Sequence, residues 1–129
     1  MQANKMTPDL DSVVDELKFL RKYEGFTQAR YSDQLILPSL LGGKHQSFRF
    51  SRMHLIEAIR TIHDPRIRDA LLVAFGLMKN YAYLSTIQDR RDIYSKRAGR
   101  KYDTLRKWED IGIEQLAAVL IRSRECDVL

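Results

Sequence analysis

Eight lysines and arginines stand within residues 89–107, DRRDIYSKRAGRKYDTLRK: Arg90, Arg91, Lys96, Arg97, Arg100, Lys101, Arg106 and Lys107. Asp89, Asp92 and Asp103 oppose them, which leaves the segment at +5. That equals the formal net charge of the whole 129-residue chain, 22 basic against 17 acidic residues, so the remainder is balanced. Guanidinium and ammonium groups donate charge-assisted hydrogen bonds to oxyanions, and the planar fork of Arg also matches the major-groove edge of guanine. A neutral body with one concentrated basic stretch points to an anionic partner, nucleic acid before others. Double-stranded DNA is the expected partner; RNA and an acidic protein surface are compatible with the same charge.

Other chemistry-bearing residues are sparse. The histidines are His45, His54 and His63, and the nine-residue interval from His54 to His63 does not return to one helical face. No Cys or carboxylate pairing completes a metal set, so no metal site is expected. Gly42-Gly43 lacks the spacing of a phosphate loop. Ser, His and Asp occur, but nothing in the sequence gathers them, so neither catalysis nor a cofactor is expected. Cys126 is the only cysteine and cannot form an internal disulfide, which fits a reducing cytoplasm. The opening MQANKMTPDLD has no apolar core of a secretory signal, and the run Ala70–Phe75 is far short of a bilayer span. At 44% hydrophobic and 30% charged, the composition is that of an ordinary globular chain.

The elements that must position the basic stretch are helical almost throughout. Thr7-Pro8 reads as a cap followed by a first-turn proline. Leu10, Val13, Val14, Leu17 and Leu20 then recur on one helical face, and Gly25 ends that helix. Residues 27–41 form a weaker segment that Pro38 divides into two short turns. Gly42–Ser47 reads as a loop, and Phe48-Arg49-Phe50 as a brief extended piece. Ser51 caps a third helix, with Leu55, Ile56, Ile59 and Ile62 inward. Asp64-Pro65 starts a fourth, with Ile67, Leu71, Ala74, Phe75 and Met78 as its stripe. Residues 79–84 connect it to a fifth helix at 87–98, capped by Ser85 or Thr86 and ended by Gly99. A last helix spans about 103–122, with Leu105, Trp108, Gly112, Leu116 and Val119 on one row. Trp108 reads as core packing, and Gly112 as a place where Trp108 or another helix comes close.

The two helices around Gly99 have the layout of a helix-turn-helix. Ser95 is the small residue of the first helix, Ala98 the apolar residue before the turn, and Leu105 the residue that pins the second helix. Lys101, Tyr102, Thr104, Arg106 and Lys107 face outward as readers. Arg90, Arg91, Lys96, Arg97 and Arg100 flank them as phosphate holders. Arg100 and Lys101 replace the apolar and hydroxyl residues usual at these turn positions, so affinity is expected to exceed sequence specificity.

The stretch RRDIYSKRAGRKYDTLRKWEDIGIEQLAAVL resembles a pattern of small actinobacterial all-helical proteins: an Arg-rich helix, a Gly turn, a Thr-Leu start with a basic run, then Glu and a closing Leu-Ala helix. The matching positions are Arg90, Arg91, Ala98, Gly99, Thr104, Leu105, Arg106, Lys107, Glu109, Leu116, Ala117 and Leu120. Upstream, DPRIRDALLVAFGL (64–77) and LRKYEGFTQARY (20–31) resemble segments that precede the motif in those proteins. The layout is similar to the promoter-reading helix-turn-helix of bacterial sigma factors. The resemblance implies a fold and a helix-turn-helix rather than a defined role.

The expectation is therefore an all-α protein of five or six helices, with a helical body at 1–84 and a helix-turn-helix at 85–129 packed on it as one compact unit. It would bind DNA as a small transcriptional regulator, and a homodimer would suit paired half-sites. The alternative is a helical protein–protein interaction subunit. It would dock its basic segment on an acidic partner and use Leu35, Ile36, Leu37, Leu40 and Leu41 as apolar contact.

Overall fold

The computed structural model describes residues 8–42, 47–81, 84 and 86–128, excluding the side chains of 124–128. Among the described residues, seven α-helices follow in order: α1 (Leu10–Leu20), α2 (Gln28–Ser32), α3 (Leu37–Leu40), α4 (Phe48–Arg60), α5 (Pro65–Ala74), α6 (Ile87–Ala98) and α7 (Tyr102–Val128). The described residues contain no strand, and the fold is all-α. The helix number exceeds five or six because residues 27–41 close two short helices rather than bare turns. Pro38 lies inside the first turn of the second of them, where its missing N–H is harmless.

Short polar side chains set most helix starts. Asp9, Thr27, Ser47, Asp64 and Thr86 each accept a hydrogen bond from a backbone N–H of the first turn. Asp64 and Thr86 cap as the sequence predicts. Thr7 lies outside the described residues, and Asp9 caps α1. That helix ends at Leu20, with Arg21 as its C-cap, so Gly25 sits beyond it in the following turn. Phe48-Arg49-Phe50 is the first turn of α4 and not an extended piece. Ser47 caps it, while Ser51 is buried and donates its hydroxyl to the Leu41 carbonyl at 2.9 Å. Phe48 accompanies the earlier start: from the first turn of the helix its ring stacks on Phe26 at 5.2 Å.

The 27-residue α7, about 40 Å long at the usual rise, is the spine of the molecule. It lies against α5 and α1 along most of its course, and α3, α4 and α6 also reach it. Ile113, Leu116, Ala117 and Leu120 of α7 share one buried cluster with Val13, Leu17 and Leu20 of α1, Leu55 and Ile59 of α4, and Leu71 and Phe75 of α5. The C-terminal helix is thus part of the core and not an appended motif. Leu37, Leu40 and Leu41 are buried in the same cluster, while Leu35 is 89% exposed. Three of the five residues expected as an apolar contact are therefore spent on the core, and Leu35 alone of the five stands exposed.

Gly112 marks a close approach of α5 side chains to α7. A Cβ there would stand 2.7 Å from Ile67 Cγ2 and 2.9 Å from Leu71 Cγ. Alanine would gain about 1 kcal/mol of helix propensity, but overpacking typically costs about 1–3 kcal/mol. Gly112→Ala is expected to destabilise the fold by about 1 kcal/mol in urea unfolding. A variant more stable than the parent would show that α5 and α7 have room to spare.

Candidate nucleic-acid interface

The turn between α6 and α7 is built from the backbone outward. Gly99 adopts φ 67°, a left-handed conformation that L side chains resist. Its N–H and that of Arg100 both donate to the Ser95 carbonyl, and the Ser95 hydroxyl donates to the Arg100 carbonyl. Ser95 thereby fastens the turn as well as being small. Leu105 is 1% exposed and pins the start of α7 as predicted, but Ala98 is exposed and takes no part in the packing.

The ten predicted contact residues divide into three groups. Lys96, Arg97, Arg100, Lys101, Arg106 and Lys107 are exposed. They occupy the last turn of α6, the connecting turn and the first turns of α7. Tyr102 and Thr104 are half-buried. Arg90 and Arg91 are buried, which corrects their assignment as phosphate holders.

Arg90 is fully enclosed, and every N–H direction of its guanidinium is used. Nε donates to Val73 O at 2.9 Å, and Nη2 to Ala74 O at 2.7 Å and Arg21 O at 3.2 Å. Nη1 donates to Tyr23 O and Leu84 O, both at 2.9 Å. Four of these carbonyls belong to the C-terminal ends of α1 and α5 or the residues just beyond, where helices leave acceptors open and the dipole favours a cation. Burial, and then the neighbouring Arg91 charge, pull Arg90 down to about 10, so it remains charged at neutral pH.

Arg91 forms a bidentate ion pair with Glu109 of α7. Nε reaches Oε2 at 2.8 Å and Nη2 reaches Oε1 at 2.6 Å. Its Nη1 donates to the Tyr102 hydroxyl at 3.2 Å. Burial works against the Arg91 charge, yet the Glu109 carboxylate raises its pKa above the ordinary guanidinium value. Arg21 joins the cluster through Nη1, 3.0 Å from Glu109 Oε1 and 2.9 Å from Asp110 Oδ1. Neither Arg21 nor the counter-ion role of Glu109 was legible in the sequence, because 88 positions separate the two residues.

Without Arg90 and Arg91, six exposed cations of the 89–107 segment face three exposed aspartates, a net +3. Two of the six lean on aromatic rings. The Arg97 guanidinium stands 5.2 Å from the Tyr81 ring centre, and that of Arg100 stands 5.9 Å from Trp108. Arg66 approaches Trp108 as well, at 5.5 Å. Trp108 is half-buried and packs against the core, so it combines the predicted packing role with a cationic flank. Lys96 lies 3.4 Å from Asp92 across one exposed helical turn, a pair of little energetic weight. The arrangement presents cationic donors on a rigid edge. Among the described residues, no group of His, Cys, Asp and Glu could hold a metal ion, and no helix is long and apolar enough to cross a membrane.

No family model matches the chain, and no curated protein sequence or solved structure shows significant similarity to it.

Proposed function

We propose that this protein binds double-stranded DNA along the edge formed by the end of α6, the Gly99 turn and the start of α7, and that it serves as a small transcriptional regulator. The observation that carries the reading is the placement of Lys96, Arg97, Arg100, Lys101, Arg106 and Lys107, all exposed on two helices and the turn between them, with the helices joined by the buried Arg91–Glu109 pair. Lys101, Arg106 and Lys107 stand at the positive end of the α7 dipole, which adds to their attraction for phosphate. From Leu105 onward one face of α7 is committed to the core, and Arg106 and Lys107 stand exposed in its first turns, before the acidic Asp110 and Glu114. Lys96, Arg97 and Arg100 hold backbone phosphates beside Arg106 and Lys107. The contact is mainly electrostatic, with base reading limited to the few side chains at the start of α7.

A salt titration of duplex binding by fluorescence anisotropy tests the proposal. With about five phosphates neutralised, log affinity should fall against log salt with a slope of about −4.5. The Arg106→Ala/Lys107→Ala variant should bind at least about tenfold more weakly, with a slope shallower by about two. Absence of duplex binding at low salt would overturn the reading. A stoichiometric, nuclease-resistant protein partner on the same basic edge would favour docking on an acidic protein instead.

A further inference from the structure

A cleft of about 300 Å³ opens between the turn after α1, the first turn of α6 and the N-terminal part of α7. Arg21, Lys22, Tyr23, Gln88, Arg91 and Arg106 line it, so cations from three separate parts of the chain converge; Arg91 is already committed to Glu109, which leaves Arg21, Lys22 and Arg106 as the donors. Two of these cations are held in place from behind. Glu109 takes Arg91 by Nε and Nη2, while Glu109 and Asp110 take Arg21 by Nη1 only. The remaining N–H groups of Arg21, the Lys22 ammonium and the Arg106 guanidinium have no partner among the described residues. Tyr23 forms a lip. Its backbone is held at φ 52°, an uncommon conformation for a bulky residue. Its carbonyl is tied to Arg90 at 2.9 Å, and its ring lies 5.3 Å from the Arg30 guanidinium. The cleft is therefore a cationic recess in which Arg21 is held in place and Lys22 and Arg106 remain unpartnered among the described residues.

We propose that this cleft seats one phosphate group. The free edge of Arg21 donates to its oxygens, and Lys22 and Arg106 close on it from the α1 turn and from α7. A tetrahedral oxyanion with several acceptor oxygens suits donors arriving from separate directions, and Arg provides the forked geometry. The phosphate is either one unit of a nucleic-acid backbone or a free phosphoryl group. In the first case the inference rests on the function proposed above and extends the DNA contact to the turn after α1; in the second it is independent of that function.

Titration with inorganic phosphate against chloride at matched ionic strength, followed by amide NMR shifts, tests the seat. Saturable shifts are expected at Tyr23 and Gln88. Lys22→Ala and Arg106→Ala should each weaken the binding by about tenfold, the loss expected for a charge-assisted hydrogen bond. Arg60→Ala, an exposed cation on α4 outside the cleft, should leave it unchanged. Both cleft side chains are exposed, so their removal should leave the circular dichroism of the fold intact. Linear, unsaturable shifts, or equal losses in the Arg60 variant, would overturn the proposal. A duplex salt slope shallower by about one in Lys22→Ala assigns the phosphate to a backbone. Retained phosphate binding with an unaltered slope assigns it to a free phosphoryl ligand. Phosphate binding without any duplex binding keeps the seat and removes the DNA reading.

Discussion

Arg90→Ala is expected to lower the unfolding free energy by about 4 kcal/mol or more, a large part of the roughly 5–15 kcal/mol that a domain has in total. The reason is a count of groups rather than one strong bond. Five carbonyls, from Arg21, Tyr23, Val73, Ala74 and Leu84, converge on one guanidinium inside the protein. Each buried acceptor left without its donor costs about 1–3 kcal/mol, and partial compensation from backbone N–H groups brings the sum down. Arg90→Lys should be nearly as damaging. An ammonium keeps the charge but offers three donors from one point, and it cannot span carbonyls on two helix ends and the α6 approach. Urea unfolding of both variants, with α-helical circular dichroism as the signal, measures the effect. A loss under about 1 kcal/mol in Arg90→Ala would sink the clamp. Unchanged stability with weakened duplex binding would return Arg90 to the interface.

The helix starts were largely legible because capping is local chemistry. Asp64-Pro65 and Thr86 announce α5 and α6 within a few residues, and Gly99 announces the turn. The start of α4 was not, because Ser47 and Ser51 are both plausible caps one turn apart. The choice between them goes with the packing of the Phe48 ring on Phe26, far back in the chain. The two arginines of α6 show a conflict between period and polarity. Ile87, Arg90, Arg91 and Tyr94 recur at three- and four-residue steps, the spacing of an inward face, and the first three are buried. Charge argued the other way, since fully buried arginines are rare. What satisfies Arg90 is backbone from residues 21–84. Main-chain carbonyls carry no sequence signature, so the burial could not be read from residue types. The remaining cations of the basic segment are exposed, but the net charge there falls from +5 to +3 once the two buried arginines are removed.

Glu109→Gln should remove about 3–5 kcal/mol of stability, the usual consequence of taking one partner from a buried ion pair. Glu109 is 1% exposed and serves two cations at once, Arg91 at 2.6 Å and Arg21 at 3.0 Å. The amide leaves Arg91 without a counter-charge, with only the Tyr102 hydroxyl and a neutral acceptor, while Arg21 loses one of its two carboxylates. The loss measures the cost of an abandoned charge rather than the net worth of the pair, and a second variant separates the two. Arg91→Met combined with Glu109→Leu removes both buried charges and keeps the volume. It should recover most of the lost stability, because apolar replacements of buried pairs are often neutral. Arg21 then still has Asp110 at 2.9 Å. The same comparison bears on binding. The pair joins α6 to the start of α7 and so fixes the exposed cations of the two helices relative to each other. Glu109→Gln should weaken duplex binding although it touches no ligand, and the double variant should restore it together with the fold. Recovery of stability without recovery of binding would mean that the ion pair sets an orientation that apolar packing cannot reproduce. A stability loss under about 1 kcal/mol for Glu109→Gln would show instead that water replaces the carboxylate, and that α6 and α7 are held by Leu105 and the Gly99 turn alone.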